Sequence, residues 1–280
     1  LVVPGLLHPF YAEVAQSLSV AIRKKGYSLI IASSEEDPEL ERREIRQLLA
    51  RRLDALVIAS TGDNIEQFKI LERKKQHFVL IDRDFRDLSA NFVGIDDEAA
   101  GRIATEHLLN IGCRHVAHIR GQGNSTGIGR YKGYQSALLN RGLPELPDYV
   151  VGTNNVDTNS IQQGFEAVRL LLRRNPRPDG VFCYNDPLAI GAIDAILEEG
   201  LRVPEDIAVI GCGNLHYDRN LRVPLSSIDQ HSSEIGRRAA DLVLSIIESK
   251  QTPRPRSCIL EPVLVVRSST QCQRDTIHQS

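Results

Sequence analysis

The chain has 280 residues, of which 41% are hydrophobic and 25% charged, and its formal net charge is -2. That length suits two domains, and the composition is that of a soluble globular chain rather than a disordered or fibrous one. The near-neutral balance marks no nucleic-acid surface, and no apolar run approaches the roughly 20 residues of a membrane span.

The elements alternate. Leu1-Val2-Val3 reads as the end of a first strand. From Pro9 to Lys25, Val14, Leu18 and Ile22 recur every fourth residue and Gly26 stops the helix. Tyr27 to Ala32 reads as a strand. Asp37-Pro38-Glu39 opens a helix that buries Ile45, Leu48 and Leu49. Ala55 to Ala59 is a strand, and Ile65, Phe68 and Leu71 mark a third helix. Strands follow at Phe78 to Ile81, ending in Asp82-Arg83, and at Phe92 to Ile95, ending in Asp96-Asp97. A helix from Glu98 to Ile111 stops at Gly112.

The rhythm then restarts. His115 to Ile119 is a strand, Ile128 to Asn140 a helix, Tyr149 to Val151 a strand and Ser160 to Arg173 a helix. The apolar run Val181 to Tyr184 predicts a strand buried on both faces. It meets Asn185-Asp186-Pro187, with Asp as the expected N-cap and Pro at the first helical position. Asn185 therefore falls at the carboxyl end of a strand, where open parallel sheets keep their binding crevice. A polar strand-to-helix turn would look the same. Ile207 to Ile210 and Ser226 to Asp229 are strands. Ser233 to Glu248 is a helix with Ile235, Ala239, Leu242 and Ile246 inward, and Val263 to Val266 is a last strand. Strands alternating with helices predict an α/β chain of two parallel-sheet sets, the second starting near Cys113. Right-handed crossovers collect His8, Asp82, Asp96, Asn124, Asn185 and Asn214 in loops after the strands.

Tests for chemistry come out negative. The five cysteines are widely spaced, without a C-x-x-C, and Cys183 and Cys212 lie in apolar runs, which suits reduced thiols in a cytoplasm. No Cys/His cluster has zinc-site spacing, and His115 and His118 point to opposite faces of a strand. Neither a metal nor another cofactor is expected. The run Gly121-Gln-Gly-Asn-Ser-Thr-Gly-Ile-Gly129 lacks the lysine of a phosphate loop and is off by one from the dinucleotide pattern. It reads as a flexible loop carrying Ser125 and Arg130 towards a ligand. Asp82 with His8 is a candidate catalytic pair, but nothing identifies a nucleophile with its base, so no enzyme is expected.

Several stretches together resemble the effector-binding core of the lactose-repressor (LacI-type) transcription regulators. They are His8-Pro9-Phe10-Tyr11, Ile81-Asp82-Arg83, Gly94-Ile-Asp-Asp-Glu-Ala-Ala-Gly101, Glu106-His-Leu-Leu-Asn-Ile-Gly112 and Arg130-Tyr-Lys-Gly-Tyr134. Tyr184-Asn185-Asp186, Gly200-Leu-Arg-Val-Pro-Glu-Asp206, Pro224-Leu-Ser-Ser-Ile-Asp-Gln230 and Val265-Val-Arg-Ser-Ser269 continue the series in order.

The resemblance implies two doubly wound subdomains of the periplasmic-binding-protein type (type I), joined by three crossovers. Residues 1–112 with 229–258 would form one and residues 113–228 with 259–270 the other, leaving 271–280 as a polar tail. It implies a small carbohydrate-like effector held in the cleft between the lobes by His8, Phe10, Asp82, Arg83, Asp96, Arg130, Asn185 and Gln230. Asp96 suits a helix N-cap equally well, and Arg83 equally suits an ion pair with Asp82. The resemblance further implies a cytoplasmic homodimer using Ile190, Asp194 and Leu221, and operator DNA bound through an N-terminal helix-turn-helix absent here. Leu1 within a strand, in a chain without methionine, agrees with a fragment.

Departures from the family pattern bear on the ligand. Gly213 stands where the family has an Asp that contacts sugar hydroxyls, His8 replaces an Asn, and no stacking aromatic occurs near Val156 to Asn159. Losing a carboxylate and gaining an imidazole favours an anionic effector such as a sugar acid or sugar phosphate. The alternatives are a solute-binding protein of an uptake transporter, which shares the fold, and an α/β enzyme.

Overall fold

The computed structural model describes residues 1–62, 65–85, 87–154, 156–249 and 254–271. Cys272 and nearly all of the expected polar tail lie outside the described residues. In chain order the first unit contains β1 (Val2–Val3), α1 (Pro9–Arg23), β2 (Ala32–Ser33), α2 (Pro38–Ala50), β3 (Leu56–Ile58), α3 (Ile65–Arg73), β4 (Phe78–Ile81) and β5 (Asn91–Ile95). The second unit continues with α4 (Asp97–Asn110), β6 (Val116–Arg120), α5 (Ser125–Asn140), β7 (Val150–Gly152), α6 (Ser160–Leu171), β8 (Gly180–Cys183), α7 (Asp186–Glu198), β9 (Ala208–Gly213) and β10 (Ser226–Asp229). The chain returns to the first unit for α8 (Ser232–Ile247) and β11 (Ser257–Leu260) and ends in the second with β12 (Val263–Val265).

Each unit is a six-stranded sheet, with order β11-β5-β4-β3-β1-β2 in the first and β12-β10-β9-β8-β6-β7 in the second. All pairings are parallel except β10 with β12. In both sheets the strand order reverses beside the first strand, at β1/β3 and at β6/β8, the switch points where such sheets hold ligands. This is the expected α/β architecture of two parallel-sheet units linked by three chain crossings.

The boundaries differ from expectation. The first unit comprises Leu1–Ile95 and His231–Leu260, so the first crossing comes after β5 rather than at residue 112. The cause is α4, which packs on α5 with almost no side chain between them. A methyl at Gly101 would fall on the Arg130 carbonyl oxygen, and one at Gly133 on the Glu98 carbonyl oxygen. One at Gly129 would come within 2.7 Å of the Asp97 Cβ. The same device joins α6 to α7, where Gly164 meets the Leu188 carbonyl and Gly191 the Ile161 carbonyl. In the first unit, Gly236 of α8 packs against Ser17 and the Val14 carbonyl of α1.

The glycine run after β6 is therefore a loop only as far as Asn124. Asn124 caps α5 by accepting from the Gly127 N–H at 2.9 Å, and the helix begins at Ser125, three residues before the expected start. Gly127 and Gly129 lie inside it as packing positions. The α7 cap is Asn185 rather than Asp186. Strand β2 is limited to Ala32–Ser33, because register with β1 begins only there, and the half-exposed edge strand β11, which lacks a continuous apolar run, pairs with β5.

Overpacking a closed helix contact costs about 1–3 kcal/mol. Gly133→Ala should lose that much in denaturant unfolding. Gly152→Ala, where a methyl meets open space, should stay within about 0.5 kcal/mol of the parent.

Candidate functional site

In the first unit the strand ends gather a buried polar set. His8 precedes α1 and lies 8% exposed, with its ring tilted against Tyr11 at 5.6 Å between centroids. Phe10 is also buried and sits edge-on to Tyr11. The Tyr11 hydroxyl donates to Asp82 Oδ2 at 3.0 Å. Asp82 follows β4 in the left-handed region at φ 63°, a strained conformation for a non-glycine residue. Arg83 is 1% exposed, places Nε 3.6 Å from Asp82 Oδ2, and donates Nη1 to the Ser60 carbonyl at 3.2 Å. Ser60 and the Thr61 N–H in turn donate to Glu41, a fully buried carboxylate on α2 whose pKa is raised by burial.

In the second unit Arg130 is the centre. It is 2% exposed although it carries an obligatory charge. Its Nε donates to Asp97 Oδ1 at 2.8 Å, its Nη1 to the Tyr184 carbonyl at 2.6 Å, and its Nη2 to Gln230 Oε1 at 3.2 Å. The guanidinium also lies over the Tyr184 ring at 4.5 Å, and the Tyr184 hydroxyl is 2.8 Å from Thr126 Oγ1. Asn185 uses Oδ1 to cap α7 at the Leu188 N–H and Nδ2 to reach the Val156 carbonyl, both at 2.9 Å. Gln230 ends the polar segment after β10 and is 5% exposed. A cavity of about 320 Å³ opens beside these residues' sheet, at the ends of β6 and β7, lined by Arg120, Gln122, Thr153 and Asn154. Another of about 260 Å³ lies at the opposite edge of the first sheet, against His77, Asn91 and Pro255, away from every candidate residue.

The structure thus brings Arg130 and Gln230 into direct contact, with Asn185 adjacent in sequence to the Tyr184 carbonyl that Arg130 holds. It also brings Asp82 and Arg83 together in the first unit. Asp96 is different: it belongs to the second unit with Arg130, not to the other one, and its carboxylate caps α4 by accepting from Ala99 N–H at 2.9 Å. The next residue, Asp97, is the one that touches Arg130. Sequence reasoning did not single out Asp97, Tyr11 and Tyr184, which the structure places in contact with candidate residues. The doublet Asp96-Asp97 held the signal, since only one Asp can cap the helix.

Behind the second site lies a buried acid pair. Asp186 accepts from Ser227 Oγ at 2.6 Å and from the Leu215 N–H at 3.2 Å, and pairs with the Asp218 carboxyl. Burial and then the Asp186 charge push Asp218 up to about 9. Gly211 and Gly213 leave room for Asp186, since a methyl at either would meet its carboxylate. The glycine at 213 thus serves a packing purpose as well as removing a carboxylate. His118 is buried with its ring stacked on Phe182 at 4.6 Å, and burial lowers its pKa to about 3, so it stays neutral.

Residues 1–266 match the family described as periplasmic binding proteins and sugar binding domain of LacI family. The chain belongs to this family. It is 30% identical over 279 residues to the arabinose metabolism transcriptional repressor of Halalkalibacterium halodurans, covering 96% of this chain and 74% of that one. It is also 30% identical over 271 residues to the transcriptional repressor PurR of Aliivibrio fischeri, covering 96% and 80%. Among solved structures, the transcriptional regulator CelR in complex with cellobiose superposes with a TM-score of 0.86 at 27% identity, covering 96% of this chain and 83% of that one. Like these LacI-family relatives, the chain is a regulatory ligand-binding core. No helix among the described residues is long and apolar enough to cross a membrane.

Between the ordinary carboxyl value of 3.8 and about 9, folded Asp218 holds a proton that the unfolded chain has released. Stability is therefore fully present below the lower value and falls as pH rises through the window. Urea midpoints should decline from pH 5 to pH 9. Asp218→Asn, which keeps a donor towards Asp186 without a titratable proton, should flatten that decline.

Proposed function

We propose that this chain senses a small carbohydrate-like effector and passes the signal to DNA bound by a helix-turn-helix segment of the full protein, in the cytoplasm and without catalysis. The single observation that carries the reading is Arg130, a buried cation held by Asp97, Gln230 and the Tyr184 carbonyl at the carboxyl ends of a parallel sheet. The repressor relatives support it over a transport solute-binding protein. His8, Phe10, Asp82, Arg83, Asn185 and Gln230 are the proposed contacts. Asp96 acts as a cap and drops to a supporting role.

The charge expectation changes. Arg83 faces Asp82 and Arg130 faces Asp97, so each candidate cation already has a carboxylate partner. Matched charge leaves little field for an anion, whereas paired donors and acceptors suit hydroxyls. CelR, with its cellobiose, is a neutral-sugar case in the same family. We therefore favour a neutral saccharide over the sugar acid or phosphate suggested by Gly213 and His8. Melting curves with matched neutral, acid and phosphorylated sugars test this. A neutral sugar at a hundredfold its Kd should add about 2.7 kcal/mol of stability. Arg130→Ala should lose that shift while its circular dichroism stays native. A shift seen only with anions, or retained in a folded Arg130→Ala, overturns the reading.

We also propose a homodimer through α7 and the segment after β9. Ile190 and Leu221 are half-buried against the second unit's core, and Asp194 is exposed. Sedimentation at micromolar concentration should give a dimer, and Leu221→Arg a monomer of unchanged secondary structure.

A further inference from the structure

The net charge of -2 hides an uneven distribution. In a parallel sheet with helical crossovers, the connections from helix to strand all lie at the edge opposite the ligand-binding strand ends. In the first unit these connections precede β2, β3 and β4. Each carries two consecutive exposed cations: Lys24-Lys25, Arg51-Arg52 and Lys74-Lys75. Only Asp54 offsets them within the same segments, and none of the six makes an ion pair among the described residues. The connection before β11 adds Arg254 and Arg256 to the same edge, against Glu248.

Cations are favoured at helix C-termini by the helix dipole, and that alone could place them. The second unit provides an internal control, because the same dipole argument applies there. Its four helix-to-strand connections, at 111–115, 141–149, 172–179 and 199–207, hold six cations against six carboxylates. Several of those are paired, Arg174 with Asp148 and Arg202 with Asp206. The dipole accounts for cations at both edges. It does not account for the missing carboxylates at one of them.

Adjacent strands lie about 4.8 Å apart, so the connections before β4, β3 and β2 spread their three pairs over roughly 15 Å. Exposed cations repeated at three connections along one sheet edge suit a regularly charged polyanion read by charge alone. We propose that this edge of the first unit is a contact surface for the phosphate backbone of duplex DNA, adding sequence-independent affinity at the edge opposite the effector residues. The choice of DNA over another polyanion rests on the regulatory reading above.

The test uses this chain and a short fluorescent duplex of random sequence, with anisotropy read across a salt series. Binding should weaken roughly a thousandfold between about 50 and about 200 mM salt. Replacing the six cations by glutamine should lower the slope of log K against log salt by about 3 to 5. Arg173→Gln with Arg174→Gln, on the balanced edge, should leave it unchanged. Absence of salt-dependent binding by the parent chain overturns the proposal, as does an unchanged slope in the sixfold variant. Capture of the parent by anionic phospholipid vesicles but not by duplex overturns it in favour of a membrane surface. The effector-induced melting shift should be the same in the sixfold variant, so failure of the DNA contact and failure of the effector reading give different results.

Discussion

The contact between α4 and α5, made backbone to backbone, is the constraint on which the second unit's chemistry depends. Arg130 is a charged residue with 2% exposure, and such a group persists only when its partners are fixed in place. Gly101 lets α4 lie directly on the Arg130 carbonyl, and Gly129 lets α5 approach Asp97, which accepts from Arg130. A methyl at either position would push the ion pair apart. The glycines cost helix propensity, roughly 1 kcal/mol each relative to alanine, and that cost is offset by the close approach they allow.

Both units solve the problem of buried charge in the same way. Asp82 and Arg83, Asp97 and Arg130, and Glu41 with its hydroxyl and amide donors each keep a desolvated charge matched within its own unit. Among the described residues Asp186 and Asp218 have no ion pair with a cation, Arg267 acting on them only through its charge, and the proton retained by Asp218 takes that place. Among the described residues, Asp82, Asn214 and His231 are three of the seven non-glycine residues in the left-handed region, and each lies just beyond a strand end.

Much of this was legible in the sequence. Periodicity and stop signals placed the helices and all but the edge strand β11, because buried parallel strands are continuous apolar runs and helices repeat every third or fourth residue. The recurring polar residues after strands singled out His8, Asp82 and Asn185, since a parallel sheet puts all those loops on one edge, while Gln230 came from the family resemblance. The letters alone therefore carried the element order, the α/β class and the polar residues at the strand ends. Tertiary structure decided the rest. Whether α4 belongs to the first or second unit depends on which surface its glycines fit, a property of two helices and not of either alone. The glycine run after β6 looks like a loop until α4 is placed against it. Asp96 and Asp97 are indistinguishable as letters, and only the direction of each side chain from the first helical turn makes one a cap and the other the partner of Arg130.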